Sequence, residues 1–411
     1  MNDIDANETD RIRRLLREPP PPSAEAAAKA LTMLEAEMAP GGKRFRASRA
    51  GRRRFGWRLK AGAGVAALGA GAAVAIVAVG PGAGLEAPGA PTSPGSVDLG
   101  KRAVLAAAEN AEAQPAGKYW YTDVVSGQSY VVRSKSGAAY AIVGAHSELF
   151  GWHGVKPGMG GMYYGRDLPA RPLTARDGEL WRKDGSPSSF RVWSGDKHLT
   201  FTTEATTWRS DVPGTGPDPV GAGKVALGKS AEELQNLPTD PAELTTMFLE
   251  GPADLERLRS LGRTPPPIAP RVLPNVQIRN VGELLGGPTP PKVRAGLIRA
   301  LTARPGVHAI GQVTDPMGRQ GVALAGYSLP STDDGESGTP KSEQGTYRSR
   351  NVIVFDERSG ALLSLHEELT DPGGPYRTRK PGFVINYEVF RSTGWTDTKP
   401  SPPAEQPFRL R

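Results

Sequence analysis

Apolar residues recur along this chain in more than one rhythm, and the changes of rhythm divide it. In the first sixty residues they fall at helical spacing, with Ile12, Leu15 and Leu16 before the Pro19–Pro22 run and Ala27, Leu31, Leu34 and Met38 after it. So few large apolar side chains cannot close an independent core. Residues 1–60 therefore read as a tail of two short helices with a basic tether. An unbroken apolar run follows from Ala61 to Val79, and then a Gly/Pro/Ser-rich linker over 80–97.

Beyond the linker the pattern alternates. Asp98 stands where it can cap a helix through Ala113, with Val104, Leu105 and Ala108 on one side. Short runs rich in Tyr, Trp, Val and Phe then predict strands over Lys118–Val125, Gln128–Ser134, Ala138–Gly144, His146–Trp152, Glu179–Gly185, Ser189–Gly195 and His198–Glu204. Ser126-Gly127, Ser136-Gly137, Asp184-Gly185 and Ser194-Gly195 are the expected turns. The spacing changes to helical over Lys229–Asn236, Asp240–Leu249, Pro252–Leu261, Val276–Leu285 and Pro291–Ala303. Strands return over Val307–Asp315, Gln320–Ser328, Asn351–Leu369 and Gly382–Phe390, with Asp315-Pro316-Met317-Gly318 suited to a type I turn. In the second half of the Asn351–Leu369 hairpin, Leu363 and Leu365 alternate with Ser364, His366 and Glu368. Strands, helices and strands again predict an α+β domain over 98–411: a curved, half-barrel-like antiparallel sheet with helices on its concave side. A groove is expected wherever the helices leave that side unfilled.

Charge changes the reading of the apolar run. The chain is basic, +8 overall, but residues 1–60 hold a net +6 of it, and nine Lys/Arg crowd between Lys43 and Lys60. That local charge abuts an apolar run instead of spreading over a folded face with aromatic side chains, which argues against a nucleic-acid partner. As a helix, 61–79 would reach ~28 Å, close to a bilayer's hydrocarbon thickness. It is mostly Ala and Gly; besides Ala61, its stronger apolar residues are Val65, Leu68, Val74, Ile76, Val77 and Val79. Those six are worth only about −2 to −4 kcal/mol of insertion free energy, so the flanks decide the assignment. Arg52, Arg53, Arg54, Arg58 and Lys60 precede the run, and the first charge after it is Glu86. The positive-inside rule sets 1–60 in the cytoplasm, 61–79 as a single transmembrane helix and the rest outside the cell membrane. Cleavage of the run as an export signal is the competing reading, since Arg52-Arg53-Arg54-Phe55 resembles a twin-arginine leader. A dinucleotide loop at Gly62-x-Gly64-x-x-Ala67 lacks the strand and βαβ unit that chemistry needs.

Candidate chemistry is sparse. The chain has no cysteine, which removes disulfides, Cys-ligated metals and a thiol nucleophile. No hydrolase, phosphate-loop, zinc-protease or calcium-loop motif occurs. His146 and His153 are too far apart on a strand and turn to share one ion, and His146 reads as a solvated strand edge. His366 and Glu368 read as a surface polar face. No catalytic, metal or cofactor residue is nominated. The distinctive side chains are Tyr119, Trp120, Tyr121, Trp152, Trp181 and Trp193, expected either in the core or along a ligand groove.

The tail and span, Lys118-Tyr119-Trp120-Tyr121, "GELWRKDGSP", "LPTDPAELTTMF", "GLIRALTARPGVHAIGQVTDPMGRQGVALA" and "NVIVFDERSGALLSLHEEL" resemble a family of actinobacterial membrane-anchored proteins of unassigned function. Their genes often neighbour those of extracytoplasmic-function sigma factors. The resemblance implies a fold more distantly similar to periplasmic lipoprotein carriers and the lipoprotein-sensing regulator of the envelope-stress sigma factor, which hold acyl chains in a half-open barrel. It implies no catalytic residues. The expectation is a single-pass binding or sensor protein of the envelope, not an enzyme. Its expected partners are the bilayer, an apolar, lipid or lipoprotein ligand, and a protein of a sigma-factor system. Two alternatives stand beside it: a ligand-free regulatory interaction protein, and an exported hydrolase built on His366 or His146.

Overall fold

A computed structural model of the chain describes residues 98–134, 137–211, 225–250, 273–336 and 338–401. The tail, the run 61–79 with its basic flank, the linker and the helix expected over Pro252–Leu261 lie outside them. Among the described residues no helix is long and apolar enough to cross a membrane.

Helix α1 (Leu99–Glu112) starts where the Asp98 carboxylate accepts the Lys101 N–H at 2.9 Å, satisfying a donor that helix ends leave free. Strands β1 (Tyr119–Arg133), β2 (Ala139–Gly154), β3 (Gly161–Asp167) and β4 (Arg171–Pro172) follow. Helix α2 (Ala175–Lys183), the hairpin β5 (Ser189–Ser194) and β6 (Lys197–Thr202), and β7 (Arg209–Asp211) complete the first half. Four helices come next: α3 (Ala231–Gln235), α4 (Pro241–Phe248), α5 (Leu273–Gly286) and α6 (Pro291–Thr302). The last strands are β8 (Val307–Thr314), β9 (Gln320–Tyr327), β10 (Ser331–Asp333), β11 (Gly345–Phe355), β12 (Leu362–Asp371) and β13 (Val384–Thr396). The result is a sheet-rich α+β domain. Its curved main sheet runs β7-β3-β2-β1-β13-β12-β11-β9-β8, with β4 on β2 and β10 on β11, while β5 and β6 form a two-stranded sheet of their own. The pairings are antiparallel throughout the main path.

Helix α5 crosses the sheet. Pro274 and Ile278 lie against Gly326 of β9, Gly282 against Leu365 of β12 and Gly286 against Phe390 of β13. At its far end the Gly286 carbonyl accepts the Trp120 indole N–H from β1 at 2.8 Å. A 14-residue helix is ~21 Å long, and four strand spacings span ~19 Å, so α5 lies roughly across the strands. Together with α1, α3, α4 and α6 it closes a core in which Leu284, Leu297, Ile298, Leu301, Ile353 and Phe355 are fully buried. Glycine at 282 and 326 lets helix and strand approach to contact, because a methyl there would meet Leu365 or Pro274 and Ile278. Where described, the α5 seam is close-packed.

Several expectations change. The expected turn at Ser126-Gly127 is a β-bulge inside one long β1, whose register on β2 shifts between Ser126 and Gln128. A second irregularity, with Ala145 at φ 43, likewise joins two expected strands into β2; bulges bend a strand without ending it. Glu179–Gly185 belongs largely to α2 instead of a strand. Thr174 caps that helix by accepting the Asp177 N–H, and Arg182 and Lys183 sit in its last turn, so terminal chemistry outweighed the aromatic content. Leu363 and Leu365 do not share a face. The register shift between Val354 and Phe355 puts Leu365 with the helices and Leu363 with Ala323, Val352 and Val354 on the opposite side. His146 and His366 are buried, not solvated, at 4% and 7% exposure, because the side of the sheet away from the helices is covered as well.

Candidate functional site

The β5–β6 hairpin owes its position to alternation. Phe190 and Val192 point inward while Arg191 stays exposed, and with Tyr130, Tyr140 and Ile142 they form a separate apolar cluster over the ends of β1 and β2. Gly144 is needed there, since a methyl would strike the Phe201 ring. Asp177 fastens α2 beside the hairpin. It is 3% exposed and accepts the Ala141 N–H at 2.8 Å and the Arg379 guanidinium at 2.9 Å, so its charge is paired where it is desolvated.

Opposite the hairpin stand β10 and a 3₁₀ turn at Gly374–Tyr376. Arg133 ties β1 to this side, donating to Glu343 at 2.6 Å and to the Pro375 carbonyl at 2.9 Å. Tyr347 and Tyr376 meet edge to face, their centroids 5.1 Å apart. Between the two sides opens a cleft of about 300 Å³, walled by Tyr130, Trp193, Tyr347 and Tyr376 with a polar rim that includes Gln128 and Ser194. The Tyr130 hydroxyl contacts Gln128 Oε1 at 2.8 Å and Ser194 Oγ at 3.1 Å. Trp193 packs edge-on to His198 at 5.1 Å, and its indole N–H is buried with no acceptor, a state that costs free energy. Burial pushes the phenol of Tyr347 up to about 12 and raises that of Tyr376 well above its usual value, so both stay neutral donors. Glu343 is raised too, by burial, with Arg133 opposing.

The six aromatic residues expected along a groove divide among four places. Trp120 is 4% exposed under the helices, beneath Arg294, whose guanidinium carbon is 4.5 Å from the ring. Tyr119, Tyr121 and Trp152 line the other side of the sheet, with Tyr119 edge-on to Trp152 at 5.7 Å and Tyr121 stacked on Phe150 at 6.2 Å. Trp181 packs under the hairpin, its indole donating to the Pro187 carbonyl at 3.1 Å. Only Trp193 of the six lines the cleft. Tyr130, Tyr347 and Tyr376 were not singled out from the sequence; the tyrosine-centred alternation of β1 and β11 was the available signal.

Two further polar clusters stand apart. On the side away from the helices, Arg391 bridges Asp123 and Glu148, and Arg166 donates to Glu148 at 2.6 Å while stacking on Trp208. Asp123 is raised to about 6 by burial, opposed by Arg391 and reinforced by Glu148, and its Oδ1 is buried without a partner. Nearer the centre of the sheet, Ser364 Oγ is 3.4 Å from His366 Nδ1, and His366 Nε2 is 3.9 Å from Glu368. Glu368 is held by Arg350 and Ser364 is fully buried. A nucleophile needs access and its base needs an orienting hydrogen bond, and this row has neither. Among the described residues no group of three His, Asp or Glu is placed to hold a metal ion.

A larger cleft, about 390 Å³, opens between the start of α1 and the α6–β8 connection. Its wall is mostly the Thr302–Ala309 chain and carries no Phe, Tyr or Trp, so the smaller cleft is the better-built site despite its volume.

No family model and no curated protein matches the chain. Among solved structures, LprF from Mycobacterium bovis aligns with 9% identity over 75% of this chain and 99% of that one, at a TM-score of 0.21. So loose a superposition does not define a shared fold, and no family model or curated protein supports the sigma-factor-associated family that the sequence resembles.

Proposed function

We propose that the protein is a single-pass, membrane-anchored binding protein with its C-terminal domain outside the cell. That domain would receive an apolar, lipidated or otherwise amphiphilic ligand, or a protein partner, as an accessory of envelope signalling. The observation that carries the binding role is the aromatic-walled cleft between the hairpin and β10, with Gln128 and Ser194 at its rim. Apolar faces beside a few placed polar groups are what a binding site needs. The anchor rests on the sequence alone, on the span 61–79 and its one-sided basic flank. The Ser364–His366–Glu368 row lacks an accessible nucleophile and an oriented base, which supports binding over catalysis there.

The test is purification of the intact protein from membranes, followed by mass spectrometry of its N-terminus and of co-purifying lipid and protein. A ligand whose release changes hydrogen exchange at 189–195 and 331–347 supports the reading. A soluble form beginning near residue 90 would remove the anchor. A second reading, a ligand-free regulatory interaction protein, is favoured by the close-packed α5–sheet seam. It predicts a reproducible protein partner and no bound small molecule.

A further inference from the structure

Accepting the hairpin cleft as the ligand site, on which this inference rests, we infer that the part of the ligand it receives is a neutral sugar ring. Apart from Arg191 at the rim, the charges in its wall are already held by protein groups. Arg133 is paired with Glu343 at 2.6 Å, and Asp333 accepts the Thr339 hydroxyl at 2.8 Å and the Gly335 N–H at 3.0 Å. Arg191 is exposed at the rim. A phosphate or carboxylate would meet no unpaired buried cation here, which anion sites require. An acyl chain fits poorly for the opposite reason, since it would lie against the polar rim at Gln128 and Ser194 without supplying a hydrogen bond.

A pyranose has both kinds of surface, a C–H face that packs on aromatic rings and an edge of hydroxyls that donate and accept. Trp193 and Tyr347 are half-buried, leaving ring surface to stack on. Beside those rings Gln128 and Ser194 at the rim offer polar atoms to a hydroxyl edge. The volume of about 300 Å³ lies at the small end of ligand pockets, suited to one or two rings and not to a large aglycone. The sugar could belong to a free glycan or to the head of an amphiphile, and the two share this chemistry.

The experiment uses the full chain in lipid nanodiscs. Neutral gluco-, galacto- and manno-oligosaccharides, octyl glucoside below its micellar concentration and lysophosphatidylcholine are each titrated, with hydrogen exchange read at 189–195 and 331–347. Saturable protection of both segments by at least one saccharide is expected. Trp193→Ala should weaken it roughly tenfold or more and Trp193→Phe, which keeps an aromatic face of smaller area, by less, with unchanged melting of both variants. Tyr347→Ala gives a second variant should Trp193→Ala unfold the hairpin. Equal affinity for the octyl glycoside and its free sugar assigns a free glycan; tighter binding of the glycoside assigns a lipid-borne one. Protection by lysophosphatidylcholine without any by saccharides overturns the sugar inference and leaves the cleft a ligand site. No response to any probe overturns both.

Discussion

The Arg294 guanidinium lies 4.5 Å above the Trp120 ring, and both side chains serve the same helix end: Trp120 donates to Gly286 O at 2.8 Å and Arg294 to Gly287 O at 3.4 Å. The last carbonyls of α5 thus gain an indole N–H and a cation, as a helix C-terminus favours. Arg294 is 6% exposed, and burial lowers its pKa to about 10, the mark of a charge held without a carboxylate.

This arrangement separates two substitutions. Trp120→Ala removes ring, hydrogen bond and the surface under Arg294, and should cost about 3–5 kcal/mol in chemical denaturation. Arg294→Met keeps most of the volume and removes the buried charge, and should be near neutral or slightly stabilising. A large loss in Arg294→Met would mean that the cation itself holds α5 in place.

Asp123 makes stability depend on pH in an unusual direction. Its carboxyl rises from 3.8 to about 6 in the fold, chiefly through burial, so the folded state holds a proton that the unfolded chain has released. That contribution is complete below pH 4 and lost as pH rises through 6. Asp123→Asn should therefore compare more favourably with the parent at pH 7 than at pH 4.5, by about 2 kcal/mol, in urea denaturation at the two values. An identical difference at both pH values would show that Asp123 is ionised throughout.

His153 acts in the opposite sense over an overlapping range. Its Nε2 lies 2.7 Å from the Tyr163 hydroxyl, and burial lowers its pKa from 6.5 to about 4, so the ring is neutral in the fold. Its contribution is present above pH 6.5 and is lost as pH falls toward 4. His153→Gln should flatten the loss of stability on acidification over that window, whereas Tyr163→Phe should leave the slope and lower stability at every pH. Unchanged acid sensitivity in His153→Gln would assign it elsewhere, to His146 first, which is also lowered to about 4 by burial.

What the sequence revealed of this fold was local, and what it concealed was long-range. The Asp98 cap and the turn closed by the Gly318 N–H on Asp315 O at 2.8 Å need only neighbours within a few residues, so both were legible. The role of Trp120 was not, because its acceptor lies 166 positions away. The cleft joins Tyr130 and Trp193 to Tyr347 and Tyr376 only after β10, β11 and the 3₁₀ turn are brought beside the hairpin. Bulges were the other blind spot. A one-residue shift beside Leu363 moves it to the far side of the sheet from Leu365, and alternation counted along the chain does not register such a shift.

The α5 seam offers a test of how tightly helix and sheet are matched. A methyl at Gly282 would meet the terminal atoms of Leu365, a flexible end that can yield, so Gly282→Ala should cost only about 1–3 kcal/mol. Leu365→Ala alone opens a void beneath the helix and should cost about 2–4 kcal/mol. The double variant should recover part of both losses, a coupling readable in a double-mutant cycle. Strict additivity would show that the seam is looser than its contacts indicate.

On the proposed membrane-anchored reading, topology would be decided at the other end of the chain, by a weak span. An Ala/Gly-rich run with six stronger apolar residues would insert with little free energy to spare, so orientation should follow the basic residues before it more than the run itself. Substituting Arg52, Arg53, Arg54, Arg58 and Lys60 with Gln should yield mixed orientation, seen as partial loss of protease access to the C-terminal domain from outside intact cells. Replacing Ala66 and Ala70 with Leu should strengthen insertion without changing the parent orientation. The same mixed pattern in the Leu variant, or full access in the Gln variant, would show that the flank does not set the topology.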